Sequence, residues 1–337
     1  MTKIYSSIYL IHEKTTLIED EEFFEKVYKD EFQHAKKHNL QMDKLDESER
    51  FFYFRWLTPD PVDELKIPRL KEKEVPLSEN TIKFKKVVAQ IEYSKKKITG
   101  DDKKILLKQD RLNIANIETI FFEKDNQVFV LILTSDVNHL RRVKKLIGES
   151  LDETGNLNYN LSPELFNWLI YTYEEHKGIL NTNITLKNIN GFVGNVTDEA
   201  NIFTGTSYQT TELIVTKAFI SNGGQLRKIS MRIEDDDVNV SYFVNEDSTI
   251  ILDLRDSSKK RLLDNLDDQT FLLLYLYGYL ILKVKNIYLD CSVKFINEEK
   301  PNFSKKIGIE VIQSIMKNNE IMLDEITKND RLGEFVY

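Results

Sequence analysis

Leu226 to Leu254 reads LRKISMRIEDDDVNVSYFVNEDSTIILDL, and this stretch decides the fold class. Apolar residues alternate at Ile229, Met231 and Ile233, then at Val238, Val240 and Tyr242, so each run turns one face toward a core. The breaks between runs, Asp235-Asp236-Asp237 and Asn245-Glu246-Asp247, are short. Parallel neighbours need a crossover of roughly a dozen residues or more, so these runs predict an antiparallel meander. Working outward, Ile184–Ile189 and Glu212–Ile220 read as further strands, the second separated from Leu226 by Ser221-Asn222-Gly223-Gly224. Downstream, Asp267 to about Val284 predicts a long core helix over the buried face of the meander. Its most apolar part, Phe271–Leu282, is well short of the ~20 residues that cross a bilayer. Asn286–Ile296 reads as a returning strand and Ile307–Met322 as a final helix.

Upstream the signals are mixed. Ile4–Ile11 has strand-like content. Glu21–His38 fits an amphipathic helix through Phe23, Phe24, Val27, Tyr28, Phe32 and Ala35. Leu45–Leu57 is aromatic-rich, and Thr58-Pro59-Asp60-Pro61 breaks it, with Pro68 and Pro76 keeping the next stretch irregular. Ile82, Phe84, Val87 and Val88 form an apolar run of either type, and Thr99-Gly100-Asp101-Asp102 is a turn signal. Ile117–Phe122 and Val128–Leu133, joined across Asp125-Asn126-Gln127, predict a hairpin. Ser135 or Asp136 caps a helix that Gly148 ends after Ile147, and Ser162-Pro163 starts another that runs to about His176. The fold class expected is therefore α+β in two domains. Residues 1–150 form an α+β domain with a basic surface, and residues 151–337 an antiparallel sheet packed against the long apolar helix.

The totals set bounds. At 337 residues the chain exceeds the roughly 250–300 at which single cores stop growing. The single Cys291 excludes an intramolecular disulfide and a multi-cysteine metal site, which suits a reducing, cytoplasmic compartment. Met1–Asp20 lacks the continuous apolar core of a secretory signal. The abundance of Lys, Ile, Asn and Glu points to a low-GC bacterial or phage-related source.

Catalytic patterns are thin. His34 and His38 share a helical face by their i, i+4 spacing, but Ala35 stands where a zinc protease carries glutamate. Cys291 reads as a small buried filler, and Gly205-Thr206-Ser207-Tyr208-Gln209 lacks the closing glycine of a nucleophile elbow. Gly191-Phe192-Val193-Gly194 reads as a turn between strands, and Gly191–Gln209 as the best candidate for a functional loop. Glu212, Lys217, Glu234, Asp235, Asp236, Asp237, Asp253 and Asp256 carry the enzyme option, a magnesium-dependent nuclease with acids at strand ends. Acidic hairpin tips explain the same residues.

Charge carries the sharper signal. Thr81–Ile147 holds 15 Lys and Arg against 8 Asp and Glu, while the whole chain is −8, so the remainder carries −15. The candidate site comprises Lys83, Lys85 and Lys86, then Lys95, Lys96 and Lys97, then Lys103 and Lys104, and finally Arg141, Arg142, Lys144 and Lys145. Such groups meet phosphates with little regard for base sequence, and Tyr93 and Phe84 either add stacking or belong to the core. A solvated lysine-rich surface, or a dock for an acidic protein, explains the same charges. The expectation is a non-catalytic cytoplasmic factor that binds DNA or RNA, with no cofactor, no metal and no membrane. A protein partner or a homo-oligomer would engage the second domain, and phage or mobile-element defence suits such a chain. The rivals are the nuclease and a structural subunit that docks a partner.

Overall fold

The computed structural model describes residues 3–12, 16–17, 21–32, 45–57, 60–67, 80–149, 151–152, 157–195, 202–206, 214–260 and 266–327. Strands β1 (Lys3–Ile11), β2 (Val27–Glu31), β3 (Phe51–Trp56), β4 (Asp63–Ile67), β5 (Asn80–Ser94), β6 (Leu112–Lys124), β7 (Gln127–Ile132) and β8 (Leu151–Asp152) come first. They are followed by β9 (Thr185–Asn195), β10 (Ile202–Thr206), β11 (Gln225–Glu234), β12 (Val238–Asn245) and β13 (Ile250–Lys259). The longer helices are α1 (Val137–Ile147), α2 (Pro163–Glu175), α3 (Ile214–Ser221) and the 51-residue α4 (Asp268–Asn318). The fold is α+β, with antiparallel sheet and one long helix packed against strands.

Two compact units divide the chain. The first takes residues 1–160, 247–254 and 263–282; the second takes 161–246, 255–262 and 283–337. In the first unit the strand order is β1-β7-β6-β5-β3-β2, with β4 beside β5 and β8 beside β1. The start of β13 pairs with β1, Lys3 facing Asp253 and Ser6 facing Ile250. The sequence-predicted hairpin is β6–β7. Its two-residue turn, Asp125-Asn126, has φ of 51° and 58°, the left-handed pair that matches strand twist.

Alternation makes both faces of this sheet apolar. Val87, Ala89 and Ile91 on β5, Ile117 and Phe121 on β6, and Val128, Val130 and Ile132 on β7 share one core with Val143, Leu146 and Ile147 of α1. Residues of opposite parity, Ile82, Phe84, Ile120, Phe122, Phe129 and Leu131, are buried on the other face. There Gly278 of α4 brings its backbone so close to Ile82 that an added Cβ would stand 2.0 Å from Ile82 Cδ1. Tyr277 of α4 is fully buried, and its hydroxyl donates to the Ser248 carbonyl at 2.9 Å and lies 3.0 Å from Ser6 Oγ. Burial drives that phenol's pKa upward. Among the described residues α4 is the one helix long and apolar enough to cross a membrane by length and composition. Its residues Phe271–Gly278 are buried.

The second unit has the strand order β10-β9-β11-β12, with the latter part of β13 beside β12. β11 and β12 pair from Lys228↔Asn245 to Glu234↔Asn239. Asp235 forms their turn, its Oδ1 accepting from the Asp237 and Val238 amides at 2.9 and 2.8 Å. α2 is capped by Ser162 and packs its aromatic side on α4, with Trp168–Tyr288 centroids 5.7 Å apart and Tyr171–Phe303 5.5 Å apart. Phe219 of α3 lies over Gly194 and Gly224, where any Cβ would come within 2.5 Å of its ring.

Four expectations are corrected. Glu21–His38 is not one helix: Glu21–Glu25 is a single turn, Val27–Glu31 is β2 paired with β3, and residues 33–38 lie outside the described set. Glu212–Ile220 is not a strand; from Ile214 it is α3, with Lys217 Nζ 2.6 Å from Glu310 of α4. Asn286–Ile296 is not a strand either, because α4 runs through it to Asn318 and absorbs most of the expected final helix. Gly191-Phe192-Val193-Gly194 is no turn but part of β9, paired with β10 and β11.

α4 keeps its buried side despite two π-helical segments, Leu276–Leu280 and Phe295–Glu299. Each inserts about one extra residue into the helical count.

Candidate nucleic-acid interface

Strand β5 splits its lysines between two faces. Lys86 shares parity with Ile82 and Phe84, and its Nζ lies 2.9 Å from Asp267 Oδ2. Asp267 caps α4, also accepting from the Thr270 amide at 2.8 Å. The Lys86 charge therefore closes a helix end. Lys83 and Lys85 have the opposite parity, and the Lys85 ammonium sits 4.9 Å from the Phe24 centroid. Phe84, considered for base stacking, is buried in the core.

At its far end β5 meets α1. Asp136 caps that helix, its Oδ1 accepting from the Asn138 amide at 2.7 Å and the His139 amide at 3.1 Å. Those amide bonds, the one from His139 foremost, hold its carboxyl below the usual range. The cap sets the first turn so that His139 and Arg142 both reach Tyr93. The His139 ring meets Tyr93 edge-on at 5.3 Å, and the Arg142 guanidinium lies 4.7 Å from the tyrosine centroid. Arg141, one position earlier, is exposed. Lys144 and Lys145 are held elsewhere, the first 4.2 Å from the Tyr9 centroid and the second 2.9 Å from Asp30 Oδ1.

Two residues beyond Tyr93 the chain enters the lysine-rich loop. Its base is tied by the Lys95 amide to the Arg111 carbonyl at 2.7 Å and by Lys95 Nζ to the Asp110 carbonyl at 3.0 Å. Its tip is a tight turn, with Gly100 N–H to Lys104 O at 2.8 Å and Lys103 N–H to Gly100 O at 3.0 Å. Lys95, Lys96, Lys97, Lys103 and Lys104 are all exposed. Lys97 faces Asp101 at 3.7 Å and Lys104 faces Asp102 at 3.6 Å, contacts so exposed that they contribute little against solvent screening.

Sequence reasoning missed the residue beneath this loop. Arg111 is fully buried. Its Nε donates to the Leu106 carbonyl at 3.0 Å, and Nη2 donates to the Glu49 carbonyl and lies 3.4 Å from Glu49 Oε2. Its guanidinium lies 4.6 Å from the Phe32 ring and 5.7 Å from that of Phe52. Burial presses its pKa down while Glu49 pushes it back. No local pattern distinguishes this arginine from a surface one; its partner is 62 residues away.

Of the expected site, Arg142 meets Tyr93 at the end of β5, Lys95, Lys96, Lys97, Lys103 and Lys104 lie on the loop that continues from that strand, and Arg141 is exposed beside Arg142 on α1. It commits Lys86, Lys144 and Lys145 to other contacts.

Several of the enzyme candidates are held by other partners, and Glu212 lies outside the described set. Glu234 is clasped by Lys187 at 2.8 Å and Lys260 at 2.5 Å, which together take its carboxyl from 4.5 down to about 2. Lys217 pairs with Glu310, Asp253 faces Lys3 in the sheet, and Glu212 is outside the described residues, as are His34 and His38. Cys291 stands on α4 rather than on a strand, half-buried, its thiol pKa pushed up by burial. In the expected functional loop, residues 196–201 and 207–209 lie outside the described set. Among the described residues no three His, Cys, Asp or Glu side chains converge as a metal ion would require. No protein-family model and no curated protein matches this chain.

Proposed function

We propose that this protein is a non-catalytic nucleic-acid-binding factor. Its contact surface is the loop Lys95–Lys104 together with Arg141 and Arg142. The observation that carries this reading is the Tyr93 junction: one ring joins the basic first turns of α1 to the strand from which Lys95-Lys96-Lys97 continues. Lys96, Lys97, Lys103, Lys104 and Arg141 stand in solvent, and the ion pairs of Lys97 and Lys104 are weak, so phosphates can replace their partners at little cost. Lysine predominates over arginine, which favours backbone contact over reading of bases. In this reading the two compact units act as two domains, the first holding nucleic acid and the second free for a partner, in a cytoplasmic setting such as defence against mobile elements.

Binding of a labelled oligonucleotide, measured against salt, tests it. About four phosphate contacts predict a loss of roughly a hundredfold in affinity between about 50 and about 200 mM salt. Replacing Lys95, Lys96, Lys97 and Arg141 with Glu should abolish binding, whereas Lys86→Ala, at the helix cap, should leave it intact. Binding that ignores salt, or survives the four reversals, would overturn the proposal. Magnesium-dependent cleavage of the oligonucleotide would replace it with the nuclease reading.

A further inference from the structure

The second part of α4 carries a row of large apolar side chains in solvent. Val293 is 73% exposed and Ile312 55%, and Leu289, Ile296, Ile309 and Ile315 are exposed with them. Eighteen residues make about five α-helical turns, so positions eighteen apart share a side. Here the π-helical segment Phe295–Glu299 adds one, and the repeat across it becomes nineteen. Burial confirms the count. Val284 and Tyr288 lie nineteen before Phe303 and Ile307, and all four are buried. By the same step Val293 shares its side with Ile312, and Ile296 with Ile315. The exposed apolar residues therefore lie along one flank of the helix in two groups, Leu289–Ile296 and Ile309–Ile315, with Asn297, Pro301 and Lys305 between them. This ridge runs roughly 39 Å from Leu289 to Ile315 at 1.5 Å per residue. Exposed apolar groups of this size mark an interaction site.

The ridge complements itself when reversed. A two-fold axis near Pro301 and Asn302 sets Leu289 against Ile315 of a second copy and Val293 against Ile312, with Ile296 and Ile309 on opposite edges of the contact. Glu298 and Lys305, both exposed, stand between the two apolar groups, one before and one after that axis. Reversal places each beside its opposite in the other copy, and a parallel pairing would set like against like. From this symmetry we infer that the protein forms a homodimer through antiparallel pairing of residues 289–315 of α4. The pairing is isologous, so it closes at two copies.

Sedimentation and light scattering of the full chain at micromolar concentration should give twice the chain mass. Val293→Glu with Ile312→Glu should halve that mass, and the far-ultraviolet circular dichroism spectrum should be unchanged because both positions are exposed. Orientation is read by oxidation in a Cys291→Ser background. Val293→Cys together with Ile312→Cys should crosslink two chains, and Val293→Cys alone should not. A monomer at micromolar concentration, a crosslink formed by the Val293→Cys single variant, or wild-type chains that stay single until lipid vesicles are added would each overturn the inference. None of these readouts involves nucleic acid.

Discussion

The two parts of α4 are chemically alike and physically opposite. From Phe271 to Gly278 the helix is enclosed: aromatic and leucine side chains on all sides are buried, and even the Tyr277 hydroxyl finds its partners indoors. From Leu289 to Ile315 the same helix hides one side through Phe295, Phe303, Ile307 and Val311 and leaves comparable apolar residues in water. Side-chain type does not separate the two parts. What separates them is how many elements each packs against, and the difference teaches that an apolar residue records either a core or an unfinished interface.

Substitutions should sharpen that contrast, beginning with the largest effect. Phe271→Ala removes a fully buried ring and should destabilise the protein by about 3–5 kcal/mol, read as a lowered denaturant midpoint. Tyr277→Phe keeps the shape but leaves the Ser248 carbonyl without its donor and Ser6 Oγ without its partner, costing about 1–3 kcal/mol. In the second unit, charge pairs near the surface contribute less. Glu234, taken from 4.5 to about 2 by Lys187 and Lys260, adds stability that is complete above pH 4.5 and fades as pH falls toward 2. The midpoint gap between wild type and Glu234→Gln should follow that curve, with an amplitude below about 1 kcal/mol. Smallest is Val293→Ala, expected to change unfolding of the dilute chain by no more than about 0.5 kcal/mol. A large effect there would mean that the ridge is covered within one chain, and the comparison would break.

Legibility follows the same division. Local chemistry was readable: the Asp125-Asn126 turn, the Asp136 and Ser162 caps and the alternating strands of the Leu226–Leu254 stretch all stand where the residues place them. Segments whose state is set from a distance were not. Val27–Glu31 follows a helical spacing of aromatics, yet pairing with β3 decides for strand. Ile214, Val215 and Thr216 are β-branched, yet packing on α4 makes them helical. The extra residue at Phe295–Glu299 shifts the apolar period midway through α4, which hid one long helix as a strand followed by a helix. For the site, the concentration of charge was visible in composition. The partners of that charge were not, since Lys86 meets Asp267 across 181 residues and Lys145 meets Asp30 across 115.

The π-helical turn at Phe295–Glu299 also sets where this chain tolerates a change of length. Excising one solvent-facing residue there, such as Asn297, lets the turn relax to ordinary α-helix while Phe303, Ile307 and Val311 keep their bearing on α2 and α3. The same excision a few turns away swings everything beyond it by about 100° and points those anchors into water. This short segment can thus lose a residue without harm, while the ordinary α-helical turns that flank it cannot.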